Sequence, residues 1–494
     1  LEAVIHAMDQ RFDCIVIGSD ISSLVAAAVL SKAGKKILHL CETPLSGRLE
    51  KNGYVFDTDP LPWPGLVSGG LGKEGLRRRG IHLPATAEDK DSPIHQFILP
   101  DHRVDLYGDP LKSFSEFQRE FAVSPDELQE LYGLSGTITR CLGDFFSRKV
   151  LSPSNGGAAL GKSLVNFPVH KRHGILFRRK LKDLEKACPG LQRIFRANHL
   201  LFSNAVFTGT WPFSSGYAFS AAFGTGRTTW GEKEDFLRFL QGFCASGGNI
   251  SLSGCTVIRF RVKRRIEVDL SLDGESWTVE GERAILSTKW EKLRPILMKG
   301  VHFAHLEKAW KKISHTGYPL TLHLGVKEEA LPEQAGRSIV LLGDEKHPLM
   351  TDSLTYLASG PRRNESPAPI SGRALSATAF LNDSPWRRSD VELEDVIKVL
   401  FRNVESFLPF LRENLEFLDP SWSMDISRKY QEILNHKYGL TPSFLSPLAV
   451  FSSRTPLEQV FLTGGLQYPE LGFDGEVLSG IFSADLILGG VRHE

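Results

Sequence analysis

The chain has 494 residues, too many for one ordinary core, so two or more domains are expected. Its 41% hydrophobic and 24% charged residues are the mix of a soluble globular protein, and 59 Lys plus Arg against 58 Asp plus Glu leave a formal net charge of +1. That balance gives no support to a nucleic-acid partner, and no run approaches the roughly eighteen apolar residues of a membrane span.

Six scattered cysteines without a C-x-x-C pair point to reduced, packed thiols and a cytoplasmic setting. Met8 reads as a start, and Leu1–Ala7 are set aside. Cys14–Ile17 is a short apolar run ending at Gly18, the pattern of a buried parallel strand. Leu24, Val25, Ala28 and Val29 then recur at helical spacing up to Gly34, and Lys36–Leu40 is a second strand. Strand, tight turn, helix, strand is how a dinucleotide-binding fold begins. Asn52–Asp57 follows as a hairpin-like piece.

Further along, Ile94–Leu106 predicts two short strands. Leu111–Phe121 and Pro125–Leu142 predict helices, the second with Ser124 as N-cap, and Leu181–Phe202 predicts a helical stretch. Glu234–Ser246 reads as an amphipathic helix and Ile250–Leu252 as a strand. Val257–Val262, Ile266–Leu272 and Trp277–Val279 form an antiparallel meander, and Ala284–Ser287 is a separate buried strand. Strands are expected at Leu320–Leu324, Ser338–Leu342, Ala374–Leu381 and Val460–Leu462. Helices are expected at Val391–Phe407, Ser427–Leu434 and Val477–Leu488, with a glycine-rich loop over Gly464–Gly475.

The opening turn departs from the glycine fingerprint G-x-G-x-x-G. Its positions fall on Gly18, Asp20 and Ser23, so only the first glycine is present. Asp20 brings a carboxylate to where two phosphates would sit, with Ser19 beside it. The acid that should hold the ribose falls on Cys41, with Glu42 one residue late.

Several stretches resemble the flavin amine oxidase and phytoene-desaturase superfamily. They are the βαβ unit ending Ser46-Gly47-Arg48, the run Tyr54–Asp57, and Gly247–Ile250 leading into Cys255–Ile258. The last is Phe461–Leu466 followed by Gly472–Gly480. The resemblance covers nearly the whole chain. It implies an α/β fold: a Rossmann-like FAD-binding-type domain with a parallel sheet and a small antiparallel meander, plus a discontinuous α+β second domain. The first domain is expected over 8–75, 230–290 and 451–494, the second over 76–229 and 291–450. It also implies that Val257 lies by the adenine of FAD and that the closing helix, from Gly475, Glu476 and Val477, points its N-terminus at the flavin. Gly465, after Gly464, stands where the family has Asp, and Glu476 stands where a small residue is usual, free to cap the helix itself.

Rab GDP-dissociation inhibitors and escort proteins share this fold without using FAD and bind lipidated protein partners. Lys35–Leu40 is similar to their second strand. The expectation is therefore an FAD-oxidoreductase-fold homologue with a degraded flavin site, a non-catalytic binding, chaperone or scaffold subunit. The alternative is an FAD-dependent oxidoreductase, desaturase or amine-oxidase-like, acting on an apolar substrate. No catalytic acid or base is legible. An apolar small molecule or a protein partner is expected in the cleft between the domains.

Other clusters add little. His302 and His305 share helical i, i+3 spacing but lack further ligands, so no metal is expected. His39 reads as a hydrogen-bonded core histidine and Arg77–Arg79 as a solvated loop. The aromatics from Trp211 to Phe223 read as core, or as lining for a substrate. Arg172, Arg178, Arg179, Lys180 and Lys182 lie beside Leu176, Phe177 and Leu181, an exposed basic face that leaves room for peripheral membrane contact. Neither a nucleophile elbow nor a P-loop is present.

Overall fold

The computed structural model describes residues 11–63, 70–83, 93–147, 168–206, 212–224, 232–290, 292–293, 307, 310–311, 313–343, 353–360, 372–440 and 452–489. Two large sheets organise them. The first has seven strands, in the order Ile250–Ser253, Ile37–Cys41, Arg11–Ile17, Glu275–Ser287, Ile266–Leu272 and Thr256–Val262, with Val460–Thr463 added to Glu275–Ser287. Pairing is parallel from Ile250–Ser253 across to Glu275–Ser287 and on to Val460–Thr463, and antiparallel through the meander.

Trp277–Val279 and Ala284–Ser287, expected as two strands, are one continuous strand, Glu275–Ser287. Its first part is alternately exposed and its last residues, Ala284–Ser287, are fully buried, so the sequence pattern changes period where the backbone does not break. Gly281, before that change, packs closely on the next strand. A Cβ there would lie 2.8 Å from Ile15 Cγ1 on the neighbouring strand.

Two helices cover one face of this sheet. Ile21–Lys32 is buried from Ile21 to Leu30, and Gly472–Ile487 is buried along nearly its whole length. Helices apolar on every side must be enclosed. They pack closely because Gly480 has no side chain: a Cβ there would lie 2.9 Å from Val25 Cβ. The closing helix begins at Gly472, five residues before the expected start. Its early glycines therefore serve close packing, not a loop.

The second sheet has nine strands and draws on Pro93–Tyr107, Ala205–Val206 and Ile313–Leu440. Its long central strand is Ile313–Lys327, paired along Gly372–Leu381. Helices Pro110–Phe121, Pro125–Ser147, Pro168–Ala187, Pro189–Phe202 and Pro212–Gly224 flank it around Phe114, Phe117, Phe177, Phe195, Phe219 and Phe223. The stretch Leu181–Phe202 divides at Cys188 because Pro189 cannot continue a helix through its missing N–H. The helix expected at Ser427–Leu434 lies instead at Pro420–Lys429. Asp419 caps it by accepting from Trp422 N at 2.9 Å, with Pro420 in the first turn. Asp-Pro was the start signal.

Candidate functional site

The crevice at the carboxyl ends of the parallel strands is where this architecture places a ligand. The opening turn forms one wall. Gly18 has φ +154°, and a Cβ there would come within 2.5 Å of Ser287 Cβ, so no L-side chain fits. Its N–H donates to Leu40 O at 3.0 Å. Ser19 Oγ accepts from Thr43 N at 3.0 Å.

Asp20 turns inward. It is fully buried and is the N-cap of helix Ile21–Lys32. Oδ1 accepts from Ser23 N at 2.9 Å and from the Ser23 hydroxyl, and Oδ2 accepts from Ser287 Oγ at 2.7 Å. Asp20 and Ser23, two separate losses of glycine in the sequence, are thus one device. The carboxylate satisfies the helix N-terminus from within, and the serine hydroxyl satisfies the carboxylate.

The second wall is the end of strand Ile37–Cys41. The Cys41 thiol is buried 3.3 Å from His39 Nε2, and burial pushes its pKa well up. His39 behaves as expected of a core histidine. Nε2 donates to Gly18 O at 3.0 Å, and burial lowers the ring pKa to about 4. Glu42 reaches across to the meander. Its Oε1 accepts from Val257 N at 2.8 Å and from Lys292 Nζ at 2.6 Å, and its Oε2 from Trp290 Nε1 at 2.9 Å. The backbone amide expected beside an adenine is therefore held by a side chain of this chain. Gly47 N donates to Glu234 Oε2 at 2.6 Å. A Cβ at Gly47 would press on the Glu234 backbone, so this glycine seats the loop on helix Glu232–Cys244. Arg48 is exposed, opposite Asp57 in the hairpin Arg48–Asp57.

The closing turn forms the third wall. Gly464 has φ +137° and donates its N–H to Ser479 Oγ at 2.8 Å. Glu476 does not cap the helix N-terminus, which lies at Gly472 and has no side-chain cap. Its carboxylate is buried and pairs with the buried Lys289 ammonium at 2.7 Å, while Oε1 also accepts from Asn204 Nδ2 at 3.1 Å. Lys289 donates in addition to Leu434 O at 3.0 Å. Oε2 of Glu476 has no hydrogen-bond partner among the described residues. Burial raises the Glu476 pKa to about 7, against the pull of Lys289 and with the help of the Asp20 charge.

A Cβ at Gly465 would lie 2.9 Å from Glu476 Oε1. The glycine at 465 therefore leaves room for the buried Glu476 carboxylate. Gly475 packs on the Tyr468 carbonyl, and Val477 is buried against Gly72. Asp474, passed over in the sequence, does the tying at this end. It accepts from Leu71 N at 3.0 Å, Gly72 N at 2.8 Å and the Tyr217 hydroxyl at 2.6 Å.

Beside these turns lies a buried polar core around Asp59. Asp59 accepts from Trp63 Nε1 at 3.1 Å and Asn435 Nδ2 at 2.9 Å. Lys233 donates to the Asp59 and Leu61 carbonyls and sits 5.0 Å from the Trp63 ring centre. Lys437 donates to Ser203 O at 2.8 Å, and burial lowers its pKa to about 7. Lys289 and Lys437 carried a weak signal, a lysine within or just beyond an apolar strand.

No group of three metal-ligating side chains occurs among the described residues, and His302 and His305 lie outside them. Tyr217, Phe219 and Phe223 are core, while Trp211 and the Phe213 side chain lie outside the described residues. Arg79 is not a free loop residue, because it pairs with Asp485.

These walls do not fit FAD as the fold would hold it. Asp20 occupies the helix N-terminus meant for the pyrophosphate, Glu42 holds the amide meant for the adenine, and the Glu476–Lys289 pair lies at the closing helix.

No protein-family model matches the chain, and no curated protein matches it in sequence. Solved structures share its fold from end to end. Putrescine oxidase bound to putrescine is 14% identical, with a TM-score of 0.58, over 97% of this chain and 99% of that one. Cyclohexylamine oxidase from Brevibacterium oxydans is 13% identical, with a TM-score of 0.56 and the same coverage. Rab GDI from Plasmodium falciparum is 12% identical, with a TM-score of 0.51, over 98% of this chain and 100% of that one.

Proposed function

We propose that this chain, which has the fold of the flavin amine oxidase superfamily and of Rab GDI, is a flavin-independent homologue that serves as a binding, chaperone or scaffold subunit. The observation that carries this reading is Asp20. A carboxylate buried at the N-terminus of the first helix, and hydrogen-bonded by Ser23 and Ser287, already supplies the negative charge that site favours. A pyrophosphate entering there would lose the amide and meet a buried like charge. Glu42 on Val257 and Glu476 on Lys289 add two further self-made contacts along the same path. The work is then done by surfaces and by the region between the two sheets, with an apolar molecule or a protein partner as ligand.

The fold shared with putrescine oxidase and cyclohexylamine oxidase favours a second reading, an FAD-dependent oxidoreductase, for which the sequence analysis expects an apolar substrate. The flavin would supply the redox chemistry. One experiment separates the two. Untagged protein is incubated with excess FAD, passed through a desalting column, and its visible spectrum recorded. The expected result is a colourless protein with all FAD in the small-molecule fraction. Flavin absorbance eluting with the protein overturns the first reading and makes the second the working one.

A further inference from the structure

Helix Pro168–Ala187 has two unlike faces. Phe177, Leu181 and Leu184 are buried in the aromatic cluster and anchor it. The opposite face, following i, i+3, i+4 spacing, exposes Arg172, Ile175, Leu176, Arg179, Lys182, Asp183 and Lys186, with Arg178 at its margin. Five bases against one acid give this face +4, in a chain whose formal net charge is +1. Lys180 is not counted, because it pairs with Glu130 of the neighbouring helix at 2.5 Å.

The apolar pair in this face is the second observation. Ile175 is 55% exposed and Leu176 37% exposed, although the inner stripe of the helix is already complete. Two adjacent apolar side chains ringed by guanidinium and ammonium groups match an anionic bilayer surface. Long basic side chains reach lipid phosphates while the aliphatic pair enters the headgroup–acyl boundary. A nucleic acid or an acidic polypeptide would satisfy the charges and leave Ile175 and Leu176 in water. We propose that this helix face docks the protein peripherally on membranes rich in anionic lipids. The proposal is independent of whether flavin is bound.

The test is co-sedimentation of the full chain with vesicles of phosphatidylcholine alone or of phosphatidylcholine with phosphatidylserine. Binding is expected only with phosphatidylserine. It should weaken strongly as salt is raised from about 0.1 M to about 1 M, where the screening length falls from ~10 Å to ~3 Å. Arg178→Gln, Arg179→Gln and Lys182→Gln together should weaken it about a hundredfold, the loss of three basic residues at an anionic surface. Ile175→Ser with Leu176→Ser, which leaves the charge unchanged, should weaken it about tenfold or more. All changed residues are exposed, and matching far-UV circular dichroism and melting temperature show that the variants fold. Absence of phosphatidylserine-dependent binding overturns the proposal. So does binding that ignores the serine pair, or heparin binding that is tighter than vesicle binding and equally unaffected by it; these outcomes make the face a simple polyanion site.

Discussion

The opening and closing turns of the parallel sheet meet the same demand in opposite ways. Each is framed by a glycine at positive φ, Gly18 and Gly464, and each carries a buried acid. At the opening turn, Asp20 is a capping residue, and both its oxygens are hydrogen-bonded by short-range and sheet partners. At the closing turn, Glu476 does not cap the helix, has one oxygen without a hydrogen bond among the described residues, and is balanced by its ion pair with Lys289. Hydrogen bonds alone make the first acid stabilising, whereas the second is tolerable only as half of a pair.

The sharpest way to break that contrast is to remove the lysine. Lys289→Met should destabilise the protein by about 3–5 kcal/mol in urea unfolding at about pH 8, where Glu476 is ionised, because it strands a buried carboxylate. In a Glu476→Leu background the same change should cost far less. Equal costs in the two backgrounds would show that the pair is not coupled.

The pH dependence sharpens the contrast next. Glu476 has its pKa raised to about 7, so its contribution to stability is present below the unfolded value and is lost as pH climbs to about 7. Buried His39, His95, His199, His323 and His436, lowered to between about 3 and 4, act the other way, and stability should fall as pH drops through 6. Glu476→Gln removes the opposing term. The slope of stability against pH between about 5 and 6.5 should then steepen by up to one proton, about 1.4 kcal/mol per pH unit. An unchanged slope in denaturant melts across that range would mean that Glu476 is ionised in the folded chain.

Gly18→Ala tests the frame itself. Positive φ and the contact with Ser287 together predict a loss of about 2–3 kcal/mol by thermal melting. A neutral result would place the turn differently. The smallest effect is expected at Asp20→Ala, about 1–2 kcal/mol for a lost N-cap that leaves the Ser287 hydroxyl short of an acceptor, while the Ser23 hydroxyl keeps the Asp20 carbonyl. If Asp20→Ala instead stabilises the protein, the carboxylate is strained and the two turns are alike.

Much of the fold was legible in local pattern. Cys14–Ile17, the helix beyond it, the meander from Val257 and the Ser124–Pro125 helix start are short-range signals, and the structure has them. The mistaken boundaries have short-range causes as well. A change of burial within Glu275–Ser287 looked like a chain break, packing glycines from Gly472 looked like a loop, and the Asp419–Pro420 start went unread.

The candidate site was legible only as a set of departures at Asp20, Ser23, Cys41, Gly465 and Glu476. That they form three compensated devices was not. The sequence by itself determined which residue types stand in the crevice and that they differ from a glycine-rich dinucleotide site. Tertiary structure alone decided what those residues do. Asp20 meets Ser287 from 267 positions away, Glu42 meets Val257 from 215, and Glu476 meets a lysine on another strand end. A buried carboxylate is a cap, a clasp or a liability according to the donors within about 3 Å of it, and in this crevice folding brings in many of those donors from distant parts of the chain.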